Sequence, residues 1–328
     1  MELLERLIAK KDLDEDEASK VVSSLIGKEI SPIKAAAILV ALRMKGESEE
    51  EITGFAKEMR KSAVSINPKI GNLVDTCGTG GDSSKTINVS TIAAIIAAGA
   101  GIPIAKHGNR SVSSKSGSFD VLEELGVSAL EPKTVERSIE KIGIGFMFAP
   151  LFHPSMKNIM PIRKELGTRS IFNMLGPLTN PAGAPNQLIG VYDPDLTEKF
   201  ALVLKNLGTK HALVVHSEGM DELGLGVSRI SELKNRKIEN YEIDAAQFNI
   251  KKRTVPTVES ANESARFALK ILNGEKGAGR DVCTLNAGAA IYVGGHCKTI
   301  AEGIEIAKNA IDDNCAMEKL EQARKFEE

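Results

Sequence analysis

Apolar residues recur at helical spacing through residues 2–11 and 15–27, and the whole stretch 1–62 reads as helical. Ser31-Pro32 offers an N-cap followed by a first-turn proline, and Ser48 with Glu51 has the spacing of a capping box. These signals predict a small helical domain over residues 1–65. Its Leu3, Leu4, Leu7 and Ile8 would cover the rest of that domain, or equally a second subunit. From residue 73 the pattern changes. Short apolar runs at 73–75, 102–106, 145–148, 187–191, 212–215 and 241–243 alternate with helical stretches at 89–98, 119–125, 134–142 and 197–207. Such alternation predicts a mostly parallel sheet covered by helices. Residues 156–175 interrupt it as two helical pieces joined around Gly167, expected to cross back to the helical domain and form a hinge. Residues 258–316 predict three helices packed on the sheet. The expected fold class is therefore α/β: a small all-helical domain (1–65, joined by about 160–182) hinged to a large α/β domain (66–159 and 183–328) with a mostly parallel central sheet.

Composition narrows the function classes. The 328 residues carry 42 Lys and Arg against 44 Asp and Glu, a net charge of -2, which supplies no electrostatic reason for nucleic acid or an acidic membrane as partner. The basic run Lys251-Lys252-Arg253 reads as solvated surface. Cys77, Cys283, Cys297 and Cys315 lie too far apart to suggest a zinc site or a redox pair, so a reducing cytoplasm is expected. Residues 1–12 are mixed in charge, unlike a signal peptide, and no apolar stretch reaches the roughly 18 residues of a spanning helix.

The chemistry concentrates after the first predicted strand. Asp75-Thr76-Cys77-Gly78-Thr79-Gly80-Gly81-Asp82, followed by Asn88-Val89-Ser90-Thr91, reads as a strand, a glycine-rich loop and a helix start. Glycines let the backbone approach a ligand with its N–H groups inward, and the helix adds its positive dipole end, an arrangement suited to phosphate. Glycine-rich turns that merely close a loop are also common. A second polar loop, residues 106–118, begins Lys106-His107-Gly108-Asn109-Arg110-Ser111 and contains three cationic side chains and five serines. Adjacent ends of parallel strands would bring the two loops into one crevice.

Asp221-Glu222, flanked by glycines after the run 212–215, offers adjacent carboxylates of the kind that hold magnesium beside substrate phosphates, although a solvated acidic turn would look the same. His107, His153 and His216 are read cautiously, because an isolated histidine is more often a structural group than a catalyst. Arg163 is placed to pair with a substrate carboxylate or, equally, with Glu165.

Taken together, Gly78-Thr79-Gly80-Gly81-Asp82, Asn88-Val89-Ser90-Thr91, Lys106 to Ser118, Leu175-Gly176-Pro177-Leu178-Thr179-Asn180-Pro181 and Asp221-Glu222 resemble the anthranilate phosphoribosyltransferase family over nearly the whole chain. That resemblance implies an enzyme of tryptophan biosynthesis, usually a homodimer, that transfers the phosphoribosyl group of phosphoribosyl diphosphate to anthranilate. It implies that the diphosphate substrate is held by Gly78, Gly81, Asp82, Thr86, Asn88, Val89, Ser90, Thr91, Lys106, His107, Gly108, Asn109, Arg110, Ser111, Val112, Ser113, Ser114 and Ser118. Magnesium (Mg2+) would go to Ser90, Asp221 and Glu222. Anthranilate would contact Gly78, Asn109 and Arg163, with His107, Ala149, Pro150 and Gly176 lining its approach and His107 as the one candidate for assisting proton removal. Two departures stand out: Phe119 replaces a commonly small residue, and Ser83-Ser84-Lys85 occupies a stretch that often carries glycine. A pyrimidine nucleoside phosphorylase would share the fold, but Arg163, the 175–181 segment and Asp221-Glu222 argue against it. A non-enzymatic nucleic-acid-binding relative should be basic and should have lost the two carboxylates.

Overall fold

The computed structural model describes residues 2–81, 84–111 and 116–327; the predicted site residues Asp82, Val112, Ser113 and Ser114 lie outside them. The chain opens with α1 (Glu2–Ile8), α2 (Glu15–Ile26), α3 (Pro32–Lys45) and α4 (Glu49–Lys61). The start signals act as the sequence suggests. Ser31 caps α3 ahead of Pro32, and Ser48 with Glu51 forms a reciprocal capping box on α4. Glu51 is fully buried, and its carboxylate accepts from Leu13 N at 3.0 Å and from Lys45 Nζ at 2.8 Å. A buried carboxylate satisfied in this way fixes α4 against the α1–α2 connection. Of the apolar residues at the N-terminus, Leu7 is buried in this domain whereas Ile8 faces outward, 60% exposed.

The sheet is built from β1 (Val74–Gly78), β2 (Ile104–Gly108), β3 (Ile144–Phe148), β4 (Asn186–Gly190), β5 (His211–Ser217), β6 (Val227–Lys234) and β7 (Lys237–Asp244). Its order is β3-β2-β1-β4-β5-β6-β7; the first five strands are parallel, and β6 and β7 add antiparallel at one edge. The parallel strands are apolar on both faces because both are covered. Leu188, Leu213 and Val215 enter one core, while their neighbours Ile189, Ala212 and Val214 enter the other. Between strands run α5 (Val89–Gly99), α6 (Ser118–Glu124), α7 (Pro132–Ile142), α8 (Ala149–Phe152), α9 (Met160–Leu166), α10 (Phe172–Leu175) and α11 (Leu196–Asn206). The chain closes with α12 (Ala261–Leu272), α13 (Ala278–Val293), α14 (Ile300–Asp312) and α15 (Cys315–Arg324), the last beyond the three helices expected.

The 156–175 stretch forms α9 and α10, separated as predicted at Gly167, which caps α9 in the left-handed conformation. Ile171, Phe172 and Leu175 share one core with Leu39, Ile52 and Phe55 of the N-terminal helices, and the Phe55 and Phe172 rings meet edge-on at 6.0 Å. Truncating so central a phenylalanine costs about 3–5 kcal/mol.

β6 is the element that the apolar pattern does not reveal. Its buried positions include Ser228, Ser231 and Glu232, so no alternation marks it. Glu232 is satisfied by His211 at 2.8 Å and by the Tyr241 and Tyr292 hydroxyls at 2.8 and 2.7 Å. β7 is longer than the expected 241–243 for a related reason: as an edge strand it carries charge where a central strand could not.

Candidate active site

The strand order reverses between β1 and β4, and in open sheets of this kind ligands bind outside the carboxyl ends at the reversal. Here those ends are two glycines in direct register, Gly78 and Gly190. A Cβ on Gly190 would lie 1.3 Å from the Asp221 carbonyl oxygen, and one on Gly78 would lie 2.3 Å from Asp221 Oδ2. The paired glycines form a notch into which the turn after β5 drops, bringing its two carboxylates over the sheet. The Asp221 carboxylate accepts from Gly80 N at 2.7 Å, joining that turn to the glycine loop. Asn286 of α13 grips the other side of the turn, accepting from Leu223 N at 3.1 Å and donating to Leu223 O at 2.8 Å.

One cleft is consequently lined by Gly78, Ser90, Gly190, Asp221 and Glu222 together with Thr76, Cys77 and Asn286. Lys106, buried on β2, reaches the same place: its Nζ bonds the Thr76 carbonyl and lies 3.4 Å from Ser90 Oγ. Cys77 is no nucleophile there, since burial pushes its thiol up. Two carboxylates, a hydroxyl and an ammonium at one loop suit a metal-bound phosphate: hard oxygen donors for the cation, positive charge for the anion.

The α5 N-terminus faces this loop system without a side-chain cap of its own. The reason is that Asn88 is used elsewhere. Its amide oxygen accepts from Ser116 Oγ and Ser264 Oγ, both at 2.8 Å, and its nitrogen donates to Ser116 O at 3.3 Å, tying the two polar loops together. In that turn Val89 N donates to Ile87 O at 2.7 Å and Thr91 N to Asn88 O at 3.1 Å, so the helix offers an anion its positive dipole end more than a row of free N–H groups. Val89 and Thr91 are fully buried in that turn, and Thr91 Oγ1 has no hydrogen-bond partner among the described residues. Thr86 pairs with Thr257 across an isolated bridge, anchoring the loop's far end. Lys85 adopts φ +53°, a left-handed conformation that glycine takes more easily, which fits the expectation of glycine in this stretch.

In the second loop, Asp120 of α6 acts as a staple, accepting from Ser111 N at 2.9 Å and Gly117 N at 2.8 Å. Ser118 Oγ donates to Asn109 O and accepts from Asn109 N, and it lies against Gly108, where a Cβ would come within 2.3 Å. Arg110 departs from a pure phosphate role: its guanidinium is engaged by Glu123 at 2.6 Å and Asp120 at 3.3 Å. Phe119 is buried, its ring 4.7 Å from that of Phe148, so the larger residue is absorbed by aromatic packing behind the loop.

His107 is buried, with Nδ1 3.0 Å from the Gly176 carbonyl, which assigns its proton to Nδ1 and leaves a lone pair on Nε2. Burial, with the neighbouring His153 ring 5.1 Å away, pulls its pKa down to about 3, and burial pulls His153 down to about 4. Both rings are thus neutral at physiological pH. Beneath them Asp75 accepts from His107 N at 3.1 Å and Asn180 Nδ2 at 2.7 Å, and burial raises it to about 6 against the opposing pull of Lys106. Asn180 and Gln187, the latter donating to Pro177 O at 2.8 Å, lock the 175–181 turn beneath the loops.

Arg163, on α9, is not among the residues that line this cleft. Its guanidinium lies 5.8 Å over the Phe172 ring and makes no ion pair among the described residues, so the Glu165 pairing does not occur. Burial lowers its pKa. His153 lies beside His107, while His216 bonds the Val191 carbonyl at 2.8 Å within the sheet. Residues not singled out from sequence include Gly190, Asp120, Ser264 and Asn286; all but Asp120, which staples its own loop, act through a partner remote in sequence.

This architecture is that of a two-domain glycosyl transferase. The chain matches the glycosyl transferase family helical bundle domain over residues 1–63 and the glycosyl transferase family a/b domain over residues 70–317. It is 46% identical to an anthranilate phosphoribosyltransferase of Thermoanaerobacter sp. over 331 residues, covering 99% of this chain and 98% of the relative. With the enzyme of that name from Methanosarcina barkeri, identity is 48% over 95% of this chain and 85% of the relative. The anthranilate phosphoribosyltransferase structure from Thermus thermophilus superposes with a TM-score of 0.94 at 40% identity, covering 99% of both chains. The Saccharomyces cerevisiae enzyme, solved in complex with PRPP and Mg, superposes with a TM-score of 0.88 at 25% identity over 98% of this chain and 95% of the other. The chain belongs to the anthranilate phosphoribosyltransferase family.

Proposed function

We propose that this chain transfers the phosphoribosyl group of 5-phospho-α-D-ribose 1-diphosphate to the amine of anthranilate, giving N-(5-phosphoribosyl)anthranilate and diphosphate, in tryptophan biosynthesis. The observation that carries this reading is the meeting of the glycine loop, Ser90, Lys106 and the Asp221-Glu222 turn at the β1/β4 reversal. The yeast relative's complex supports the choice of PRPP as donor and magnesium as its cation.

The ribose diphosphate lies with its phosphates on Gly78, Gly81, the first turn of α5 and the loop from Lys106 to Ser118, with Asp82, Val112, Ser113 and Ser114 contributing as the family resemblance implies. Ser90, Asp221 and Glu222 would hold magnesium through their oxygens, and the ion would supply positive charge to the diphosphate. An aryl amine is already nucleophilic, so the chain's task is to hold amine and anomeric carbon in line and to stabilise the leaving group. Arg163, cationic and without an ion-pair partner among the described residues, takes the anthranilate carboxylate alongside Gly78 and Asn109. Neutral His107, its Nε2 lone pair unused among the described residues, accepts a hydrogen bond from the amine; with a pKa of about 3 it orients more than it abstracts.

The protein acts as a cytoplasmic homodimer. Support comes from four free cysteines and from Ile8, Ile33 and Met44, which are 60%, 84% and 77% exposed on α1 and α3. Among the described residues no helix is long and apolar enough to cross a membrane. Ile33→Asp with Met44→Asp should convert the dimer to monomer in light scattering; an unchanged mass would place the interface elsewhere.

The transfer is tested by following anthranilate fluorescence with the protein, phosphoribosyl diphosphate and magnesium. Signal loss that needs all components supports it. Persistence of the signal with folded protein rejects it and turns attention to phosphate-dependent cleavage of nucleosides.

A further inference from the structure

We propose that Arg169 is a positioning residue for the diphosphate end of the site: it ties the segment between α9 and α10 to the tip of the glycine loop, so that the placement of that segment sets the loop's phosphate-binding shape. The inference rests on the transfer reading above and adds a residue to it.

Arg169 sits between Gly167 and Phe172, on the stretch that packs into the core of the N-terminal helices. Its guanidinium Nη2 donates to the Gly81 carbonyl. The same group sits over the Tyr192 ring, its Cζ 4.1 Å from the ring centroid. Tyr192 follows β4, and its N–H donates to Thr79 Oγ1 at 3.1 Å, while Thr79 N donates to Gly190 O at 2.9 Å. The ring is therefore tied to the same loop that the arginine holds. From the other direction, Arg43 on α3 donates to the Arg169 carbonyl at 2.5 Å.

The loop tip is pinned from both sides. Gly80 N is held by Asp221, and the next residue's carbonyl is held by Arg169. Gly81 has φ +74°, and a Cβ there would come within 2.8 Å of Arg169 Nη2, so the residue meets both a conformational and a steric demand for glycine. Any shift of the α9–α10 segment moves the guanidinium and must either carry Gly81 with it or release the loop. A lysine cannot substitute, because sitting over the ring while donating to the carbonyl requires a planar, multi-donor head.

The test uses the whole chain and three readouts: calorimetric binding of phosphoribosyl diphosphate with magnesium but no anthranilate, the KM of each substrate in turnover, and the melting temperature. Arg169→Ala should weaken phosphoribosyl diphosphate binding and raise its KM about tenfold, the scale of one charged hydrogen bond, while the anthranilate KM and melting temperature stay near the parent's. Arg169→Lys should resemble the alanine variant. Tyr192→Phe keeps the ring but removes the hydroxyl that also hydrogen-bonds Arg169, and should fall between the parent and Arg169→Ala; Tyr192→Leu should match Arg169→Ala, and combining those two should add little. Parent-like phosphoribosyl diphosphate binding in Arg169→Ala and in Tyr192→Leu overturns the proposal. So does a loss that falls equally on both substrates together with a lowered melting temperature, the signature of a structural role alone. A parent that binds phosphoribosyl diphosphate yet consumes no anthranilate sinks the transfer reading while the calorimetric comparison still decides on Arg169.

Discussion

Replacing Gly190 with alanine adds one methyl group, and its cost can be read from the register of two strands. The new Cβ would lie 1.3 Å from the Asp221 carbonyl oxygen and 2.3 Å from its carbonyl carbon, both main-chain atoms that no rotamer change can remove. Restoring ordinary contact near 3.4 Å requires about 2 Å of separation between β4 and the Asp221 turn. β4 is central and hydrogen-bonded on both sides, so the turn is the part that gives way. Overpacking of this kind costs about 1–3 kcal/mol, and displacement of a catalytic group by about 1 Å is worth on the order of 100-fold in rate. Gly190→Ala should therefore fold with a lowered melting temperature, lose at least about 100-fold in kcat/KM, and need much more magnesium for half-maximal rate. Gly71→Ala, where nothing lies within 4 Å of the new methyl, serves as the control. The assay is anthranilate fluorescence against magnesium concentration, with melting followed by circular dichroism. Parent-like magnesium dependence in Gly190→Ala would refute the argument that the glycine notch positions the carboxylates.

Asp221→Asn combined with Glu222→Gln should abolish magnesium-dependent turnover, and full activity in that variant would remove the pair from the metal site. Arg163→Ala should raise the anthranilate KM by about tenfold or more, with little effect on phosphoribosyl diphosphate, as expected for loss of one ion pair; unchanged anthranilate kinetics would reject the carboxylate role. Stability should fall in acid. His107 and His153 are held near 3 and 4 in the fold against an ordinary 6.5, so between those values the unfolded chain binds more protons and stability drops as the pH falls. Asp75, raised from 3.8 to about 6, has the opposite sign, being more protonated when folded. The balance is a loss on the order of 4 kcal/mol between pH 7 and pH 4, to be read from denaturant unfolding at each pH; a flat profile would contradict the buried neutral histidines.

Much of this was legible from residue pattern because the pattern had a local cause. The five parallel strands are buried on both faces and therefore spell out apolar runs, and the helical domain announces itself through the Ser31 and Ser48 caps. β6 stayed hidden because its inward residues are serines and a glutamate whose partners, His211 and Tyr292, come from distant elements. The same holds at the site. Gly78 to Gly81 and Asp221-Glu222 stand out as local motifs, but Gly190 looks like an ordinary strand end until the register sets it beneath Asp221. Asp120 and Ser264 are equally unremarkable in sequence; only the fold shows that Asp120 staples the second loop and that Ser264 of α12 holds Asn88 of the first.

Counting diphosphate released against anthranilate consumed, in one reaction mixture with magnesium, tests the central claim most directly. Transfer predicts one diphosphate for each anthranilate lost and none without anthranilate. Diphosphate release that is independent of anthranilate, or anthranilate loss without diphosphate, would contradict it.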